Sequence, residues 1–261
     1  MTGFGERYGP WALVAGASQG LGEAFARALA ARGLRLVLLA RRPGPLETLA
    51  AELRERHRVE VRTAVFDLAR PDVADEVERI VQGLEIGLLV YNAAHSVIGP
   101  FLDHPLAEHL KVIDLNCRGP LSLAHRLGGQ MAARGRGGII LMTSLAGSQG
   151  GPLIASYAAS KAFNLVLGES LWDELGPRGV DVLACRAGAT DTPGYASSRP
   201  KHSIPLMEPG PVVEQTLRAL GRRPSLVTGG LNSAYAFLLG RLLPRRTAVR
   251  IMGRATRKLY G

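Results

Sequence analysis

Cysteine is almost missing from this chain: two residues in 261, Cys117 and Cys185. The first falls in a predicted helix and the second in a predicted strand. Neither a disulfide framework nor a Cys/His metal site is therefore expected, and a reducing cytoplasm suits the count. The six histidines, His57, His95, His104, His109, His125 and His202, are scattered without ligand spacing, which again speaks against a metal. No apolar run reaches the roughly 18 residues that a membrane span requires; the apolar stretches have strand length and are broken by glycine or charge. The segment Met1–Tyr8 lacks the basic-then-apolar order of a secretory signal.

Acidic residues are absent from one end. None follows Glu214, whereas Arg218, Arg222, Arg223, Arg241, Arg245, Arg246, Arg250, Arg254, Arg257 and Lys258 supply ten positive charges there. The net charge of +10 thus belongs to the C-terminal end, and residues 1–214 are neutral overall. Aromatics are scarce as well, at 5%. Basic residues without stacking aromatics or a recognition fold do not make a nucleic-acid site, so no nucleic-acid partner is expected.

What is abundant is apolar aliphatic sequence in short runs. With 46% hydrophobic residues, the chain can bury the core of one α/β domain spanning 1–261. Trp11–Ala15, Leu34–Ala40, Val59–Phe66, Ile86–Tyr91, Gly138–Thr143, Val180–Cys185 and Ser225–Thr228 read as strands. Their lack of polar alternation suits a parallel sheet buried on both faces. Helical periodicity fills Gly20–Arg32, Pro45–Arg56, Pro71–Gln82, Leu106–Arg134 (with a break) and Tyr157–Leu175. This alternation predicts a doubly wound, Rossmann-type sheet. Thr192–Pro211, rich in Pro, Ser and Gly, reads as a mobile loop with little fixed structure, its span of about 193–210 bordering the substrate.

The first predicted strand runs into Ala15-Gly16-Ala17-Ser18-Gln19-Gly20-Leu21-Gly22 and then a helix. Glycines at this turn allow close backbone approach, and the helix N-terminus offers free N–H groups to a pyrophosphate. At the end of the second strand, where a carboxylate would bind the ribose hydroxyls of NAD, stand Ala40-Arg41-Arg42. Guanidinium pairs with phosphate, so NADP(H) is preferred over NAD(H), with Arg41 the favoured contact and Arg42 the second. Further along, Tyr157 and Lys161 lie one helical turn apart. A phenol near pKa 10 needs help to exchange protons at neutral pH, and a neighbouring ammonium favours the phenolate. Ser144 leaves a strand thirteen residues upstream, placed to meet the same substrate oxygen.

Glycine turn, Ser144, Tyr157 and Lys161 together resemble the compact short-chain dehydrogenase/reductase family. The resemblance covers most of residues 11–192 and departs from the usual pattern at Ala15 (Thr in the family), Ala94 (Gly) and Ala187 (Pro). It implies a seven-stranded sheet of order 3-2-1-4-5-6-7. It implies that Tyr157 is the general acid/base, Lys161 lowers its pKa and binds nicotinamide ribose, Ser144 holds the substrate oxygen, and Asn116 supports a water leading from Lys161 to solvent. It adds Asp67 and Leu68 at the adenine, Asn92-Ala93-Ala94 beside the cofactor, and Gly188, Thr190 and Thr192 at the carboxamide. The implied activity is interconversion of a carbonyl and an alcohol. A homo-oligomer, dimer or tetramer, is also implied, pairing the helices of Asn116 and of Phe163, Val166, Leu167, Ser170 and Leu171. The alternative is a non-catalytic NADP sensor or scaffold on the same fold.

Two regions go beyond that pattern. Ser96–His104, Gly147–Ile154 and Pro193–Pro211 would select the substrate, and Leu153, Ile154, Tyr195 and Met207 favour an apolar one such as a steroid or acyl thioester. The extension at about 229–261 places Arg246, Arg250, Arg254 and Lys258 on one stripe of a helix after Pro244. This helix either packs on its own domain with the cations in water, or is an amphipathic segment that rests on anionic lipid or covers a lipophilic substrate.

Overall fold

A computed structural model describes residues 3–261; Met1 and Thr2, which begin the stretch read for a signal pattern, lie outside the described residues. The strands are β1 (Trp11–Ala15), β2 (Arg35–Ala40), β3 (Val61–Val65), β4 (Ile86–Tyr91), β5 (Gly137–Ser144), β6 (Val180–Ala187) and β7 (Ser225–Val227). The helices are α1 (Phe4–Tyr8), α2 (Gly20–Ala30), α3 (Pro43–His57), α4 (Val73–Ile80), α5 (Leu106–Ile113), α6 (Gly119–Arg134), α7 (Ala155–Leu175), α8 (Pro193–Ser197), α9 (Pro209–Ala219), α10 (Gly230–Phe237) and α11 (Arg245–Tyr260). The strands form one sheet of order β3-β2-β1-β4-β5-β6-β7, paired in parallel throughout. This is the Rossmann-type arrangement that the alternation predicts.

Every residue of β1 and β4 is buried, so their unbroken apolar runs match strands with no solvent face. Successive side chains leave a strand on opposite sides, and the core divides accordingly. On one side Val14, Leu38, Val90 and Leu183 meet Phe25 and Leu29 of α2, Leu46 and Leu53 of α3, and Val213 and Leu217 of α9. On the other, Leu13, Leu39, Leu89 and Leu141 meet Val73 and Val77 of α4 and Leu123, Leu127 and Met131 of α6. Leu167 and Leu171 of α7 pack against this second cluster. Both remain half-buried, whereas Phe163 and Val166 are exposed.

The long helical segment breaks at a π-helical turn, Asp114–Arg118, which carries Asn116 and Cys117 between α5 and α6. Cys117 and Cys185 are both free and buried. α3 begins two residues earlier than expected, at Pro43, because a proline with preset φ is tolerated in the first turn. The loop predicted to lack fixed structure is corrected. Thr192 Oγ1 accepts a hydrogen bond from the Tyr195 amide at 3.1 Å and caps α8, which starts on Pro193. Met207 then bridges back to Thr190, and α9 takes over at Pro209. Capping and bridging of this kind are short-range devices that overall Pro/Ser/Gly content does not reveal.

Candidate active site

All seven strands run in one direction, so their C-terminal ends share one edge of the sheet, and the predicted site residues collect there. The turn after β1 is the first component. Gly16 has a φ of +84°, and a Cβ there would stand 2.7 Å from the Ala93 amide nitrogen; at Gly22 it would stand 1.9 Å from the Gly16 carbonyl oxygen. Glycine is thus required at both by contact with the Asn92-Ala93-Ala94 segment and with the turn itself. Asn92 Nδ2 donates to Gly16 O at 3.1 Å, and the Asn92 and Ala93 amides each donate to Ala15 O at 2.9 Å. No side chain caps α2, which leaves its first N–H groups beside Ser18, Gln19 and Leu21 to a ligand. The Thr192 methyl lies over Gly20, so the loop after β6 closes onto the glycine turn.

The end of β2 is less symmetric than its two arginines suggested. Both are exposed, but Arg42 donates to the Gln19 side chain, which fastens it to the turn. Asp67, at the end of β3, accepts from the Ala69 amide at 3.1 Å, and Leu68 is 3% exposed. Thr190 is buried and donates to Gly188 O at 3.0 Å. This cradle, uncapped and intolerant of a Cβ, fits a dinucleotide.

β5 and α7 bring the reactive groups together. Thr143 Oγ1 donates to Lys161 O at 2.7 Å and pins α7 against the strand. Ser144 follows at the strand end. The Lys161 ammonium is 4% exposed, donates to Met142 O at 2.9 Å and lies 5.7 Å from the Tyr157 ring centre. Burial lowers the Lys161 pKa to about 8. Burial also raises that of Tyr157, against an opposing effect of the Ser144 hydroxyl, while Tyr260 raises it further. In this structure desolvation is the largest influence on the phenol, and the Lys161 ammonium donates to a backbone carbonyl.

Asn116 is fully buried. Its Oδ1 accepts from the His95 amide at 2.8 Å, and Nδ2 donates to His95 O and to Ser160 Oγ, both at 2.9 Å. Its own carbonyl accepts from Asn164 Nδ2 at 2.8 Å. The side chain is thus engaged in clasping the segment after β4 to α7 rather than aimed at Lys161. Sequence reading missed Thr143, Ser160 and Asn164. The last could have been found, since it follows Lys161 by three residues on the same helical face.

Sequence reading left the tail between two alternatives. Pro244 does start a helix, and Arg246, Arg250, Arg254 and Lys258 are all exposed on it. Its other side, with Ala248, Gly253 and Thr256 buried, sits on the loop after β5: a Cβ on Gly253 would stand 3.3 Å from Pro152. Arg245 donates to Ser148 O at 2.9 Å, and the Lys201 amide donates to Leu259 O at 2.7 Å. α11 therefore bridges two of the loops expected to select the substrate and brings Tyr260 near Tyr157 and Tyr195, whose phenol is likewise pushed up by burial and then by Tyr260. Among the described residues, no group of three or more His, Cys, Asp or Glu side chains could hold a metal ion.

Comparison with known proteins supplies the family. Residues 10–203 match the model of the short chain dehydrogenase family. The chain is 33% identical over 233 residues to a 7β-hydroxysteroid dehydrogenase of Collinsella aerofaciens, covering 87% of this chain and 89% of that one. It is 35% identical over 228 residues to a very-long-chain 3-oxoacyl-CoA reductase of Phaeosphaeria nodorum, covering 85% of this chain but 66% of the longer relative. A solved structure from a study of 7β-hydroxysteroid dehydrogenase stereoselectivity superposes with a TM-score of 0.90 at 30% identity, over 96% of this chain and 99% of its own. A short-chain dehydrogenase from Sphingobium yanoikuyae in complex with NADPH gives 0.77 at 34% identity, over 84% and 87%.

Proposed function

The chain belongs to the short-chain dehydrogenase family, and from that premise we propose that it is an NADP(H)-dependent oxidoreductase interconverting a lipophilic ketone and its alcohol. The observation that carries this reading is the convergence of Ser144, Tyr157 and buried Lys161 beside an uncapped glycine-rich turn. The bound nicotinamide supplies or takes up the hydride. Ser144 Oγ holds the substrate oxygen, and the Tyr157 phenol gives that oxygen its proton in reduction and removes it in oxidation. The fixed dipoles around Ser144 stabilise charge as it gathers on the oxygen. Lys161, held by Met142 O, places a positive charge beneath the site, and Asn116 fixes the backbone of His95 against α7.

NADP(H) is favoured by Arg42 and Arg41 at the end of β2, by the absence of a carboxylate there, and by the NADPH complex of the Sphingobium relative. Gln19 orients Arg42, which makes Arg42 the stronger of the two phosphate contacts. A lipophilic substrate is supported by Ile154 and Met207 in the selecting loops, by the α11 wall, and by the steroid and very-long-chain acyl names of the relatives. A steroid ketone is accordingly the first substrate class to try.

We also infer a twofold dimer. Leu106, Leu110 and Ile113 of α5, Leu121 of α6 and Phe163 and Val166 of α7 are all exposed, on the helices that flank Asn116. The deciding experiment follows NADPH oxidation with a panel of steroid ketones, 3-oxoacyl thioesters, aldehydes and small cyclic ketones. Turnover of a bulky ketone supports the proposal; cofactor binding with no turnover on any of them leaves a non-catalytic sensor.

A further inference from the structure

The catalytic assignment leaves one surface unused, on α10 and the π-helical turn Leu238–Leu242 that follows it. Leu231, Tyr235, Leu238 and Leu242 recur at spacings of four, three and four residues, which places them along one face. They are 89%, 38%, 47% and 62% exposed, and Phe237 beside them is 60% exposed. Isolated exposed leucines are ordinary; a row of them is not. The two polar side chains of the same helix are tied to backbone carbonyls just before it. Asn232 Nδ2 donates to Thr228 O at 2.9 Å, and Ser233 Oγ donates to Val227 O at 3.1 Å.

The charge around it selects what could cover it. Arg241, Arg245 and Arg246 are exposed at the end of the row, and Arg250, Arg254 and Lys258 continue along the outer side of α11. Among the described residues, none of these six cations forms an ion pair with a carboxylate. A second copy of this chain docked here would set cation against cation. An anionic lipid surface meets both needs, since acyl chains take the leucines and lipid phosphates take the guanidinium groups.

We propose that α10 and the turn after it rest on an anionic membrane surface, with Leu231, Phe237, Leu238 and Leu242 entering the boundary between headgroups and acyl chains. Nothing in this proposal depends on the reaction assigned above. The full chain should be mixed with vesicles of phosphatidylcholine and phosphatidylglycerol, and with phosphatidylcholine alone, then sedimented at low and at high salt. Retention by the anionic vesicles, weakened at high salt and weak on the neutral ones, is expected. Leu231→Glu with Leu242→Glu should reduce it on the order of ten-fold or more, and Arg246→Gln or Arg250→Gln by roughly five-fold each. The double leucine variant should still bind NADP(H) as wild type does, which separates loss of docking from loss of folding. Wild-type protein that ignores the anionic vesicles, or binds neutral ones equally, overturns the proposal. A double leucine variant that binds like wild type, or that falls to a smaller mass in light scattering, does so too; the latter would assign the face to a second copy.

Discussion

Tyr157 is half-buried next to Ser144, and the role proposed for it rests on a single transferable proton. Tyr157→Phe removes that proton and little else. Turnover should fall on the order of 10²-fold or more with cofactor affinity nearly unchanged; parallel loss of both in steady-state assays and cofactor titrations would place the proton donor elsewhere. Lys161 makes a different kind of prediction. Its pKa falls from 10.5 to about 8 through burial, so the unfolded chain binds more protons between those values. The penalty for burying the charge is full below pH 8 and disappears as pH rises towards 10.5. Lys161→Met should therefore unfold at a higher temperature than wild type near pH 7, by an increment on the order of 1–2 kcal/mol, while turnover collapses. Melting curves should show the gain shrinking between pH 8 and 10.5. These residues were legible in the sequence because chemistry and helical spacing coincide at Tyr157 and Lys161. What Lys161 touches was not legible, because Met142 O and Thr143 come from a strand that meets α7 only in the folded chain.

Elements were read best where the physics is repetitive. Fully buried parallel strands such as β1 and β4 have one sequence solution, a continuous apolar run, and their bounds were visible directly. Short capped pieces depend on single contacts, which is why α8 was taken for featureless loop. The β2 end shows the same limit: two adjacent arginines are equivalent in sequence, and only the Gln19 contact separates them. Arg42→Ala should weaken NADP(H) binding roughly 10- to 100-fold, the cost of one charge-assisted contact to phosphate, and leave NAD(H) binding unchanged. An equal loss for both cofactors in fluorescence titrations would mean the side chain shapes the turn rather than reads the phosphate. The tail is an element whose role changed on folding. A chain ending at Gly240 loses the wall formed by α11 but none of the residues from Gly16 to Thr192. Its KM for a bulky ketone should rise about ten-fold or more, the scale of removing several buried apolar contacts. Turnover of a small soluble ketone should stay within a few-fold. Equal losses on both substrates would make α11 a general stabiliser.

At the scale of the whole molecule, apolar surface is divided between two places. α5, α6 and α7 carry one patch beside mixed charges, Glu108 and Lys111 on α5 and Glu169 and Asp173 on α7, where a twofold mate can be complementary to itself. Light scattering at micromolar concentration should give about twice 27.8 kDa, and Val166→Glu with Leu110→Glu should return the monomer mass while the cofactor still binds. A wild-type mass of 27.8 kDa would leave that surface without its inferred partner.

The split of charge along the chain has a consequence for how the protein behaves as a particle. A body that carries only +3 through Gly240, joined to a tail that holds seven more cations over the C-terminal edge of the sheet, is an electric dipole more than a uniformly basic sphere. An isoelectric point near 10.3 averages over that asymmetry and conceals it. On a cation exchanger the protein should attach by one end and keep the opposite side free. Near any polyanion it should arrive already turned, because the torque on a dipole acts before contact. Ionic strength therefore governs which way the molecule faces as well as how tightly it holds.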